Sequence, residues 1–222
     1  MSGKRYVLTG LLLLVPFFLR AQMAVGVYTG INNSKLRGDI PEKFYYLNLP
    51  NWDGGIRLDW KVNGQLTLSF QPYLTRKGTK VSYRVDPQLD PVDTAKIYLS
   101  FISFPVIVDV FTQGGKWYVL GGAELAKPLR SYYRLIGGEG EKYDIGDHVT
   151  SFNVYILFGV GYRHSIGSKM KLFVEARYFQ ALINTILAGT IDPVEIPRVR
   201  SRGTQLEVGM LMPLSFGKEK EK

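Results

Sequence analysis

Eight stretches of this chain alternate apolar and polar residues one for one, and the connections between them run long, short, long, short, long, short, long. Successive side chains of a strand point to opposite faces, so each stretch has one greasy face and one polar face. From position 56 the chain reads Ile-Arg-Leu-Asp-Trp-Lys-Val, with Ile56, Leu58, Trp60 and Val62 on one face and Arg57, Asp59 and Lys61 on the other. Leu66, Leu68, Phe70, Pro72 and Leu74 then alternate with Thr67, Ser69, Gln71, Tyr73 and Thr75. The beat returns at Phe152, Val154, Ile156, Phe158, Val160 and Tyr162, opposite Asn153, Tyr155, Gly159, Gly161 and Arg163. Leu172, Val174, Ala176 and Tyr178 oppose Lys171, Glu175 and Arg177; Leu206, Val208, Met210, Met212, Leu214 and Phe216 oppose Gln205, Glu207 and Gly209. Three runs are less regular. In 23–32, Val25, Val27 and Ile31 face away from Ala24, Gly26, Tyr28 and Gly30; in 96–111 the alternation slips near Phe101, as at a bulge; in 117–126, Glu124 shares a face with Tyr118 and Gly122.

A strand that crosses a bilayer needs roughly 9–11 residues, whereas soluble strands average about 5–6. These runs are at the long end, and their polar faces bear full charges. The expected fold is all-β: an eight-stranded antiparallel up-and-down transmembrane β-barrel with its apolar faces toward lipid. The competing arrangement is a soluble barrel or sandwich with the apolar faces inward. An apolar content of 45% and a mean hydropathy of −0.02 suit a membrane barrel, half of whose strand residues face inward, better than a bundle of membrane helices. Cysteine is absent and the histidines are His148 and His164, which argues against disulfides, thiolate chemistry and a cysteine- or histidine-rich metal centre. No glycine-rich phosphate cradle occurs. No cofactor and no metal are expected.

The first residues read as a secretion signal. Lys4 and Arg5 precede an apolar run from Tyr6 to Leu19 that is too short to span as a helix, and Ala21-Gln22 suits cleavage. The expected domains are a signal peptide at 1–21, a barrel at 22–217 and a charged periplasmic tail at 218–222. If the first strand rises from the periplasm, the connections at 63–64, 112–116 and 164–169 are short periplasmic turns, and those near 33–52, 84–95, 127–150 and 182–201 are long outer loops. Short inner turns and long outer loops are the habit of bacterial barrels. Trp60, Trp117, Tyr162 and Phe216 all fall on outward faces at the turn end, where amphipathic rings would form a periplasmic aromatic girdle.

The inward faces hold Arg57, Asp59, Lys61, Asp109, Glu124, Arg163, Glu175, Arg177 and Glu207. An eight-stranded bore is just wide enough for side chains, and unpaired buried charge is costly, so a salt-bridge network filling the lumen is expected in place of an open channel. Gly55, Gly122, Gly159, Gly161 and Gly209 on the same faces would make room for the long side chains. Two basic groups sit at the outer rim: Arg76, Lys77, Lys80 and Arg84, and Arg198, Arg200 and Arg202. Lipopolysaccharide phosphates lie at that height, and arginine binds phosphate through paired donors. Because the positive charge is divided among rim, lumen and tail, nucleic-acid binding is not expected.

The chain also resembles the porin-like outer-membrane β-barrel domain proteins, the PorT-like group, over nearly all its expected mature length. Val25-Gly26-Val27-Tyr28-Thr29-Gly30-Ile31-Asn32 is similar to that family's opening strand, and residues 70–78, Phe-Gln-Pro-Tyr-Leu-Thr-Arg-Lys-Gly, resemble its QPEL-x-Y-x-x-KG segment with Tyr73 in place of glutamate. Leu99 to Pro105 resembles its YLEIP strand without the acid, and Val119-Leu120-Gly121-Gly122, Gly159-Val160-Gly161-Tyr162 and Ala176-Arg177-Tyr178 match later strands. The resemblance implies an eight-stranded integral barrel of the bacterial outer membrane; the orientation given above puts both termini in the periplasm. The resemblance also implies that a subunit role in an envelope secretion or assembly machine is an alternative to a structural or interaction role.

Catalysis finds little support. His164 and Ser165 are adjacent, so on a strand they point apart and cannot readily share a proton. His148 lies among Asp144, Asp147, Glu139 and Glu141, a grouping expected of solvated loop charge. The reading is a non-enzymatic closed barrel that engages outer-membrane lipid, lipopolysaccharide and possible envelope protein partners through its loops and rim; a lipid-modifying enzyme is the remoter alternative.

Overall fold

The alternating runs join into a continuous wall. In the computed structural model, which describes residues 22–214 apart from 39–42, 85–89, 91, 137–140, 168–169, 188, 192–193 and 197, the wall strands are β1 (Gln22–Gly38), β2 (Leu49–Lys61), β3 (Leu66–Phe70, continued by Tyr73–Tyr83), β4 (Val92–Phe111), β5 (Trp117–Leu135), β6 (Asn153–Ile166), β7 (Met170–Ala181) and β8 (Val199–Leu214). Each pairs antiparallel with its chain neighbours, and β8 returns to β1 in continuous register from Met23↔Leu214 to Gly38↔Val199. The eight-membered ring therefore has no free edge. The expected signal peptide, Phe216, Glu139, Lys169 and the expected tail lie outside the described residues.

Exposure decides which way the faces look. Val27 is 56% exposed, Val119 57% and Val208 50%, whereas Arg57, Asp109 and Glu175 are all 0% exposed. A soluble protein would not leave such a band of aliphatic side chains in water while burying its charges. Apolar residues face outward around the wall, and charges face the lumen.

Several strands run past the bilayer. β1 has 17 residues, β4 20 and β5 19, well above the roughly 9–11 that a tilted crossing needs. The connections expected at 33–52, 127–150 and 182–201 are correspondingly shorter, because each strand continues while its neighbour still offers free N–H and C=O groups. Those connections also carry structure of their own. Phe44–Leu47 pairs with β3 at Tyr46↔Val81, Lys142–Asp144 folds back on β5 at Tyr133↔Tyr143, and Gly189–Ile191 pairs with Val194–Ile196.

Irregularities sit where the sequence gives a reason. The slip in β4 is a register shift between Ser100 and Phe101 against β5. β3 is interrupted at Gln71-Pro72, where Pro72 has no N–H to give; its carbonyl accepts from the Ile56 N–H at 3.0 Å, and the Gln71 N–H donates to the Pro105 carbonyl at 3.1 Å. The Asn63-Gly64 turn does not use the left-handed conformation that this pair favours. The Asn63 side chain instead accepts from the N–H groups of Gln65 and Leu66, each at 2.8 Å, and closes a slightly longer loop. The next two turns do use left-handed glycines, Gly115 (φ 64°) and Gly167 (φ 63°).

The loop end of the bore is stoppered. Ile145 and Val149 from the β5–β6 connection and Ile186 from the β7–β8 connection are buried against Leu36, Leu99, Phe101, Tyr155 and Phe179. Bridges from Val149 to Ile186 and from Ile186 to Val199 tie both connections to β8. This apolar stopper is absent from the sequence reading, which expected a lumen of charge alone.

Candidate functional site: a filled lumen and an arginine cleft

The lumen is organised around Arg57, which β2 places at the centre of the bore toward the turn end. Its guanidinium contacts three carboxylates: Asp59 on its own strand at 2.7 Å, Asp109 from β4 and Glu175 from β7. It also donates to Ser69 Oγ at 3.1 Å and lies 4.7 Å from the Phe173 ring centre. Arg163 closes the layer toward the turn mouth, 2.8 Å from Asp59 and 3.6 Å from Asp109. Arg177 continues it inward, pairing with Glu175 and donating to Glu207 at 3.0 Å and to Gln71 Oε1 at 2.6 Å. The Tyr118 hydroxyl donates to Glu175. Its ring lies over Gly161, where an added Cβ would fall 2.2 Å from a ring atom, so glycine is needed there to admit the tyrosine.

Nearer the loop end is a second layer. Glu124 of β5 accepts from Lys77 at 2.8 Å, from the Tyr73 hydroxyl at 2.7 Å and from Ser103 at 2.8 Å. Lys77 is fully buried, and its ammonium lies 3.5 Å from the Tyr155 ring centre and 4.5 Å from that of Phe179. Asp53 is buried between the layers, accepting from Gln205 Nε2 at 3.1 Å.

Of the nine charges expected in the lumen, eight meet in these layers, and Lys61 does not. It is exposed at the turn-end mouth and joins none of the pairs, because β2 ends there. Lys77 was expected at the rim and instead faces the lumen: residues 69, 71, 73, 75 and 77 share one parity and hence one face. Asp53, outside the expected lumen set, also faces inward, on the parity of Arg57. The remaining rim residues of β3 divide differently. Arg76 lies 5.7 Å from the Tyr98 ring centre and Arg84 4.9 Å from that of Tyr45, both half-buried, and Lys80 is half-buried on the outward face.

Arg198, Arg200 and Arg202 do share the outward face, at the loop end of β8. They meet basic residues of β1, with Lys35 opposite Arg202 and Arg37 opposite Arg200. Arg37, Arg198, Arg200, Arg202, Gln180 and Asn184 line a cleft of about 470 Å³. Arg200 donates to Asn184 Oδ1 at 3.1 Å; none of these arginines is ion-paired with a described residue. At the opposite end, Trp117 and Tyr162 face outward with ring centres 4.8 Å apart, and Trp60 joins them at the turn end of β2. His164 and Ser165 are exposed beside the turn, and among the described residues no group of His, Asp and Glu could hold a metal ion.

A family model described as outer membrane protein beta-barrel domain matches residues 19–187. The chain belongs to this family. It is accordingly an integral protein of the bacterial outer membrane, and β8, beyond the matched residues, completes the family's ring. The chain is similar to Neisserial surface protein A, with 20% identity over 86% of this chain and 99% of that one and a TM-score of 0.45. It is also similar to OprG from Pseudomonas aeruginosa (8% identity, 88% and 97% covered, TM-score 0.48) and to the outer membrane protease OmpT from Escherichia coli (10% identity, 87% and 97% covered, TM-score 0.46). No curated protein matches the chain.

Proposed function

We propose that this family member is a sealed, non-conducting and non-enzymatic barrel whose working surface is its loop end, with the turn end and both termini in the periplasm. One observation supports this most: the bore is blocked twice, by the ion-paired layer around Arg57 and by the stopper of Ile145, Val149 and Ile186. Solute passage would require breaking buried ion pairs, each costly to separate in a low-dielectric interior. The orientation draws on the short turns and on Trp60, Trp117 and Tyr162 at one end, set against long loops at the other.

The test is single-channel recording in planar bilayers. The sealed reading expects a flat baseline in protein-containing membranes, and discrete conductance steps in the wild-type protein would refute it. Protease added outside intact cells should nick the loops and leave the turn 112–116 whole.

A second reading, a subunit of an envelope assembly, is favoured by the stacked tyrosines that stand at the loop end, Tyr133 against Tyr143 at 4.8 Å and Tyr98 against Tyr132 at 5.2 Å. Aromatic clusters of this kind are frequent anchors of protein contacts. Mild-detergent purification separates the readings, since a stoichiometric partner protein supports the second.

A further inference from the structure

We propose that the arginine cleft of β1 and β8, with the apolar groove directly beneath it, is a seat for one phosphate-bearing lipid of the outer leaflet. The inference deepens the proposed function and rests on its assignment of the loop end to the outer side.

The first observation is uncompensated charge. In an antiparallel pair, directly opposed residues have Cα atoms about 4.5–5.5 Å apart, and like charges there repel. Here Lys35 opposes Arg202 and Arg37 opposes Arg200 in succession, with Arg198 alongside, and no described carboxylate pairs with any of them. The lumen neutralises its cations with named acids; among the described residues this outer face does not. Positive charge left open in this way calls for an anion, and guanidinium forks suit phosphate oxygens.

The second observation is what lies below. Two to six residues toward the bilayer, on the same outward faces, the wall is lined by Ile31, Leu206, Tyr178, Phe158 and Val160, which border a continuous groove. A cationic cleft stacked on an apolar groove along the same strands matches an amphiphile with a phosphorylated head and acyl chains. A free anion would use only the upper part. In this membrane the outer-leaflet lipid of that description is the lipid A portion of lipopolysaccharide. The β3 bases offer no equivalent seat, because Arg76 and Arg84 are laid against tyrosine rings and Lys77 is inside.

The test is native mass spectrometry of the folded full-length barrel in detergent. The protein is incubated with bis-phosphorylated lipid A, dephosphorylated lipid A or inorganic phosphate. Wild type should retain one phosphorylated lipid A, and Arg198→Ala/Arg200→Ala/Arg202→Ala should lose at least about tenfold of that occupancy, the effect of forfeiting even one strong charge-assisted bond. Leu206→Ala should weaken retention without abolishing it. Equal retention by the triple variant, or equal retention of the dephosphorylated lipid, would overturn the proposal; retention of inorganic phosphate as tight as that of lipid A would reduce the seat to a free-anion site and overturn it too. Heat-dependent gel mobility establishes that each variant is folded, and Arg200→Gln with Arg37→Gln replaces the triple variant if that one does not fold. Failure here leaves the bilayer recordings untouched, and a conducting wild type would leave the lipid adduct in place, so the two readings fall separately.

Discussion

Arg57 is the residue on which most others depend. It answers three carboxylates at once, so its removal strands negative charge where water cannot reach it. Breaking a buried charge cluster by deleting one partner typically costs about 3–5 kcal/mol. Arg57→Met should destabilise the barrel by that order, read from urea unfolding in lipid vesicles by tryptophan fluorescence; an unchanged midpoint would show that the acids find other partners. Gly161 and Tyr118 should be coupled. Gly161→Ala pushes the ring off Glu175, so adding Tyr118→Ala to it should cost less than the same change in wild type, and a double-mutant cycle showing simple additivity would contradict the packing. The parity of these residues was legible in the sequence, but their partners were not. Arg57 and Glu175 are separated by 118 positions and meet only because the ring closes. Lys77 was misplaced for a more local reason. Grouping the bases from 76 to 84 by their height at the rim passes over the alternation, which β3 keeps to Tyr83 and which turns Lys77 inward.

At the scale of the strand, period two does most of the work and can be tested by neighbours. Phe70 faces out, stacked on Phe104 at 6.4 Å, and Ser69 faces in, bonded to Asp59 at 2.6 Å. Phe70→Arg should cost roughly 2–4 kcal/mol if it lies near the bilayer midplane, while Ser69→Arg fails by crowding a second guanidinium against Arg57. The two are distinguishable: substituting a smaller cation, Ser69→Lys, should relieve the second defect more than Phe70→Lys relieves the first, measured as folded fraction by heat-dependent gel mobility. Eight strands, the bulge at Phe101 and the bilayer-facing side could all be read from the chain. Strand ends could not, because above the membrane pairing is extended by whatever the neighbour offers, and no apolar alternation marks it. The stopper was hidden for a related reason: Ile145 and Val149 are isolated aliphatics in a polar connection, Ile186 is one of several aliphatics between 182 and 188, and nothing nearby in sequence says which of them turn inward.

On the sealed reading proposed above, the two blocks act in series for the whole molecule, and either alone should close the bore. Replacing Ile145 and Ile186 together with serine should leave bilayer current at baseline, because the Arg57 layer still fills the bore. Only when Arg57 and Glu175 are also replaced by alanine should steps be recorded; current from the stopper variant alone would mean that the charged layer leaks. A last consequence follows from the seam between β1 and β8, sixteen residue pairs from Met23↔Leu214 to Gly38↔Val199. The earliest and latest wall segments to leave the ribosome are neighbours, so no partial chain can be a smaller version of the finished cylinder. Until the last strand pairs with the first, two raw margins of backbone stay without partners and can join each other's copies. The cylinder is thus whole only when that one seam is joined, and a change that breaks its register exposes both margins at once.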